Sequence, residues 1–89
     1  MIEIQAPVVN QLGLHARAAA RFVQLAGQFA SKITVGRSTR MVDGKSILGL
    51  LLLAAARGTT LIIRAEGADE TAAAGALAAL TARGFEDPA

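Results

Sequence analysis

Between Ile2 and Val8 the chain alternates: Ile2, Ile4, Ala6 and Val8 fall at spacing two, with Glu3 and Gln5 between them. A strand turns successive side chains to opposite faces, so this period predicts a half-buried β-strand. Asn10-Gln11-Leu12-Gly13 breaks the pattern. From Ala16 the spacing lengthens. Ala19, Phe22, Val23, Ala26, Phe29 and Ala30 recur at three and four, with Arg17, Arg21, Gln24 and Gln28 on another face, which predicts an amphipathic helix of about three turns. Lys32 to Gly36 alternates again around Ile33 and Val35. The polar Gly36-Arg37-Ser38-Thr39 stretch can then reverse the chain into a short strand through Met41 and Val42, giving a hairpin.

After the turn signal Asp43-Gly44, Ser46 stands directly before an apolar run and is the natural N-cap of a second helix, expected to end near Arg57-Gly58. Thr59 to Glu66 is β-branched and alternating, a further strand that Gly67 stops. A last helix takes Asp69 as its cap and Glu70 in its first turn. It presents Ala73, Ala76, Leu77 and Leu80 on one face and closes at Arg83-Gly84. The order strand, helix, strand, strand, helix, strand, helix predicts an α+β fold: an open-faced β-sandwich whose four-stranded, mainly antiparallel sheet carries three helices on one face.

Length makes this one domain, residues 1–89, with no room for a regulatory module and no internal repeat. Hydrophobic residues at 53% against 18% charged support a packed core and exclude intrinsic disorder. Nucleic acid is not an expected partner. There is no Trp or Tyr and only three Phe to stack on bases, and the formal charge of +2 is a weak electrostatic footprint. The absence of Cys rules out disulfides and thiolate metal ligands and fits a reducing compartment. Met1-Ile2-Glu3-Ile4 lacks the basic region of a signal peptide, and the apolar run Ile47–Ala56 is half the ~20 residues that span a bilayer. A cytoplasmic location without membrane insertion is therefore expected.

The one histidine, His15, lies in Gly13-Leu14-His15-Ala16-Arg17, where a Gly-containing loop meets the first helix. A helix start presents unpaired N–H groups and a partial positive charge, so it suits an anion attached to, or arriving at, a residue placed there. The same field favours the neutral imidazole, the form that can attack phosphorus. Arg17, two residues on, can add a charge-assisted contact to phosphoryl oxygens. Residue pattern alone leaves His15 open between this nucleophile and a loop or capping histidine. A zinc site would need three or four ligands where the chain offers one His and no Cys, and nothing resembles a nucleophile elbow. No metal and no cofactor are expected.

Gly13-Leu14-His15-Ala16-Arg17-Ala18-Ala19 resembles the active-site segment of the HPr family, the histidine-containing phosphocarriers of the bacterial phosphotransferase system. Lys45-Ser46-Ile47-Leu48-Gly49-Leu50-Leu51 resembles the family's second signature, and the likeness covers nearly the whole chain. The resemblance implies a stoichiometric carrier and not an enzyme. His15 would accept a phosphoryl group on Nδ1 from enzyme I, itself charged by phosphoenolpyruvate, and donate it to enzyme IIA domains in sugar uptake or a regulatory branch. Arg17 would neutralise the group, with the backbone N–H groups of Ala16 and Arg17 binding it. Ala18 departs from the family, which usually has Pro after the Arg. Because Ala is the best helix former, the helix is expected to survive the change.

Ser46 has a minimum role as helix N-cap, and the resemblance adds a regulatory one as the substrate of an HPr kinase/phosphorylase, at a helix start whose dipole tolerates phosphate. The run Ile47–Leu53 is apolar all round, yet a short helix on a small domain buries one side. The remainder is either scattered exposed leucines on a core helix or, the reading favoured here, a docking patch for partner proteins, including regulators, formed by Leu14, Ala20, Arg21, Gln24, Ile47, Leu48 and Leu51, on a protein expected to be a monomer. Two rivals stand beside this reading. One is a regulatory module that docks without transferring phosphate, against which the presence of both His15 and Arg17 speaks. The other is a small α/β enzyme or ligand-binding domain using the His15 loop as an anion site.

Overall fold

A computed structural model of the protein describes residues 1–87. The elements run β1 (Ile2–Pro7), α1 (Ala16–Ala26), β2 (Lys32–Arg37), β3 (Arg40–Asp43), α2 (Ile47–Leu52), β4 (Thr60–Glu66) and α3 (Glu70–Ala82), followed by a 3₁₀ turn at Gly84–Glu86. The expected order is observed. The four strands form one sheet in the order β1-β4-β2-β3, every pair antiparallel.

Register explains which side chains meet. Ile4, Ile63 and Val35 lie opposite one another across β1, β4 and β2, as do Ile2, Ala65 and Ile33. Ala6, Ile33, Val35, Leu61, Ile63 and Ala65 are buried on this face. The next residues along point the other way: Glu3, Arg64 and Thr34 form a row on the open face, where Arg64 Nε donates to Glu3 Oε1 at 2.6 Å. The period of two written in the sequence is thus the division between the helix-covered face and the open one.

The helices cover that apolar face. Helix α3 packs along β1 and β4, and its many alanines let the backbone come close while Ala73, Ala74, Leu77 and Leu80 join the core. Helix α1 contributes Ala18, Ala19, Phe22 and Ala26, and packs against both α2 and α3.

Three local expectations are corrected. Helix α2 ends at Leu52 and not near Arg57, because Ala54 takes φ 50, outside the helical region, while Leu53 and Ala55 turn into the core. Phe29 and Ala30 lie beyond α1, and Ala30 is exposed. Asp69 stands at the α3 N-cap without bonding its own helix: its carboxylate accepts from the Ala30 and Ser31 N–H groups and the Ser31 hydroxyl, tying α3 to the start of β2. Those bonds, the Ser31 hydroxyl foremost, hold the Asp69 carboxyl below its ordinary value. Ser46 caps α2 as expected, accepting the Gly49 N–H at 3.0 Å.

Candidate functional site

The loop between β1 and α1 is set by Gly13. Its φ of +67 lies in the left-handed region, and a Cβ there would stand 2.5 Å from the Ala55 carbonyl oxygen, so only glycine fits. The same carbonyl accepts the Leu14 N–H at 2.9 Å, joining this loop to the segment after α2. Leu14 itself is buried, 4% exposed, which removes it from the expected docking surface: its side chain belongs to the core.

His15 is the N-cap of α1, with extended backbone and a carbonyl that accepts the Ala19 N–H at 2.8 Å, the first bond of the helix. The N–H groups of Ala16, Arg17 and Ala18 come before that bond and have no acceptor within the helix. The imidazole makes no capping bond. Instead Nε2 lies 2.5 Å from Asp87 Oδ2. Arg17, half-exposed, directs Nε to Asp87 Oδ1 at 3.1 Å, and Arg21 Nη1 reaches the same oxygen at 3.3 Å. Asn10, buried in the β1–α1 loop, donates from Nδ2 to both Gly13 O at 2.8 Å and Asp87 Oδ2 at 3.0 Å. Two acceptors on one nitrogen fix the orientation of that amide.

The Asp87 side chain is therefore 2% exposed, held by four donors. It arrives there by an unusual turn. Gly84, Phe85 and Glu86 take φ values of 65, 56 and 62, three successive left-handed residues, of which the two with side chains each carry strain on the order of 1 kcal/mol. Burying Phe85 completely between α1 and α3 offsets this by about 2–3 kcal/mol, and Arg21 Nη1 donates to the Phe85 carbonyl at 2.8 Å.

The hydrogen bond from His15, with those from Asn10 and Arg17, holds the Asp87 carboxyl down at about 2 from 3.8, against the opposing effect of burial. A carboxyl depressed in the folded state stabilises the fold above its unfolded value, here above about 3.8, and that contribution is lost as pH falls through about 2. A carbon-detected NMR titration of Asp87 is expected to show its midpoint near 2, with the His15 and Arg17 signals moving in step; a midpoint at 3.8 would contradict these contacts.

Of the expected docking residues, Ile47, Leu48, Leu51 and Gln24 are exposed, whereas Ala20 and Arg21 are half-buried. Leu12 and Leu52, not anticipated, are also exposed, at 66% and 53%. Among the described residues no group of three His, Cys, Asp or Glu could hold a metal ion, and no helix is long and apolar enough to cross a membrane.

A family model described as the PTS HPr component phosphorylation site matches residues 2–83. The chain belongs to the HPr family. It is 46% identical over 85 residues to the phosphocarrier protein HPr of Cupriavidus necator, covering 96% of each chain. Its structure is similar to crystalline HPr of Thermoanaerobacter tengcongensis with a TM-score of 0.94 and 39% identity, covering all of both chains. A dimer of HPr from the same organism also matches, with a TM-score of 0.77, 40% identity and coverage of 98% and 100%. The open-faced sandwich is thus the HPr fold, and the chain is a phosphocarrier-family protein of the phosphotransferase system.

Proposed function

We propose that the protein takes a phosphoryl group onto His15 Nδ1 from enzyme I, charged by phosphoenolpyruvate, and passes it to enzyme IIA domains as a stoichiometric carrier in the cytoplasm. The observation that carries this reading is the placement of His15: the only histidine of the chain stands at the N-cap position of α1, with the N–H groups of Ala16 and Arg17, which have no acceptor within the helix, and the Arg17 guanidinium beside it. An anion bonded to the ring would meet those donors and the positive end of the helix.

Incubation with enzyme I and labelled phosphoenolpyruvate is the direct test. An acid-labile adduct supports the carrier; absence of label on the folded wild-type protein ends it. Partners would dock on the exposed Ile47, Leu48 and Leu51 of α2, flanked by Gln24 and Ala20 of α1. Leu48 is 68% exposed, so Leu48→Asp is expected to leave thermal stability nearly unchanged while slowing phosphoryl exchange on the order of tenfold or more, as loss of an interface anchor does. Exchange at the wild-type rate would remove α2 from the docking surface. Ser46 would be the regulatory position. An O-phosphoryl group there keeps an oxygen for the Gly49 N–H, and its negative charge would stand beside the same leucines.

A further inference from the structure

Asp87 gathers the ring of His15, two arginines and Asn10, and nothing in the carrier reading gives this buried carboxylate a task. We propose that Asp87 is a positioning residue for phosphoryl transfer: it accepts the Nε2 proton of His15, leaves the lone pair on Nδ1, and keeps that proton on the ring throughout the cycle. The inference rests on His15 being the phosphoryl acceptor.

An ionised carboxylate has no proton to give, so across the 2.5 Å between the two atoms the hydrogen belongs to Nε2. Asn10 supports this, since its amide donates to the same Oδ2. A neutral imidazole with hydrogen on Nε2 carries its lone pair on Nδ1. The two carboxylate oxygens divide their work: Oδ2 serves His15 and Asn10, while Oδ1 serves Arg17 and Arg21. Among the described residues, these arginines, both from α1, and Asp87 itself are the charged groups joined at the ring.

The transfer then balances without moving a proton. On acceptance the Nδ1 electron pair forms the N–P bond as the bond from phosphorus to the donor's leaving atom breaks, taking its pair with it. The ring now bears the phosphoryl group and the Nε2 hydrogen, and its positive charge lies against Asp87. On donation the N–P bond breaks, its pair returns to Nδ1, and the ring departs as neutral imidazole with Nε2–H in place. Had Nε2 lost its hydrogen, the departing ring would be an imidazolate, a far poorer leaving group. An acid that orients a histidine and stabilises its cation without taking the proton acts in this way elsewhere.

Ring-nitrogen NMR of the uniformly 15N-labelled chain tests this. In the wild-type protein above the titration of the ring, Nε2 is expected to carry the hydrogen and Nδ1 to be bare; a proton on Nδ1 would overturn the proposal without recourse to any variant. In the phosphorylated protein, Asp87→Asn is expected to lower the pH at which Nε2 loses its proton by about one unit, a tenfold loss of proton affinity. The pH above which phosphoryl donation slows should fall with it. Equal Nε2 midpoints in wild type and Asp87→Asn would also overturn the proposal. If the wild type takes up no phosphoryl group, the carrier reading fails by itself, and the spectrum of the unmodified ring still decides where the proton sits.

Discussion

In His15→Ala, phosphoryl uptake from enzyme I is expected to fall below detection while the domain still unfolds in one cooperative step. The chain holds no second histidine to replace the lost nucleophile. The fold loses little, because the ring fills no core position and its recorded bond is the one to Asp87. Arg17, Arg21 and Asn10 still reach that carboxylate. Since the His15 bond is the foremost cause of its depressed titration, the Asp87 carboxyl should rise toward 3.8 in this variant. Labelling, circular dichroism on heating and a carboxyl NMR titration read the three outcomes separately. Acid-labile label retained on the variant would mean that His15 is not the acceptor.

Phe85→Ala is the second large effect, this time on stability. Phe85 is fully buried, and truncating such a ring typically costs about 3–5 kcal/mol in lost transfer and cavity formation. For a domain of this size that corresponds to a drop in Tm on the order of 15 °C or more. The change also removes what holds three left-handed residues in place, so Asp87 should leave His15 and titrate near its ordinary 3.8. Thermal unfolding by calorimetry, together with the Asp87 titration, checks both halves. A small loss of stability with Asp87 unmoved would show that Phe85 does not anchor the turn.

Local signals in the sequence carried the strands, because a sheet with one covered face imposes period two on every strand it contains. They placed His15 at a helix start as well, because a Gly-containing loop running into an amphipathic Ala- and Arg-rich segment marks one, but the pattern left its role open and only the family resemblance supplied that. Ser46 was legible as a cap for the same local reason. The end of α2 was not, since Leu50 to Ala56 contains no Gly or Pro to stop a helix and the stop comes from Leu53 and Ala55 seeking the core. Asp69 looked like a cap by position, but the donors it serves lie 38 and 39 residues away. Asp87 was missed most completely, 72 residues from its histidine. A faint signal existed: Arg17 and Arg21 sit one turn apart on α1, and no acidic residue of that helix stands ready to pair with them. Two guanidinium groups on one face can share a carboxylate from elsewhere, but water serves exposed arginines equally well, so nothing local in the sequence named Asp87.

The sheet order β1-β4-β2-β3 also sets a timetable for the chain as it is made. Strand β4 comes last of the four in sequence, yet it lies between β1 and β2 and is the partner of both. During synthesis β1 therefore has no neighbour to pair with until residues 60–66 have emerged, and only the β2–β3 hairpin can close on its own. Until then the apolar face of β1 lacks its sheet neighbour, and the sheet is completed only when β4 enters between β1 and the preformed hairpin, a long-range pairing that makes closure of the fold a late step.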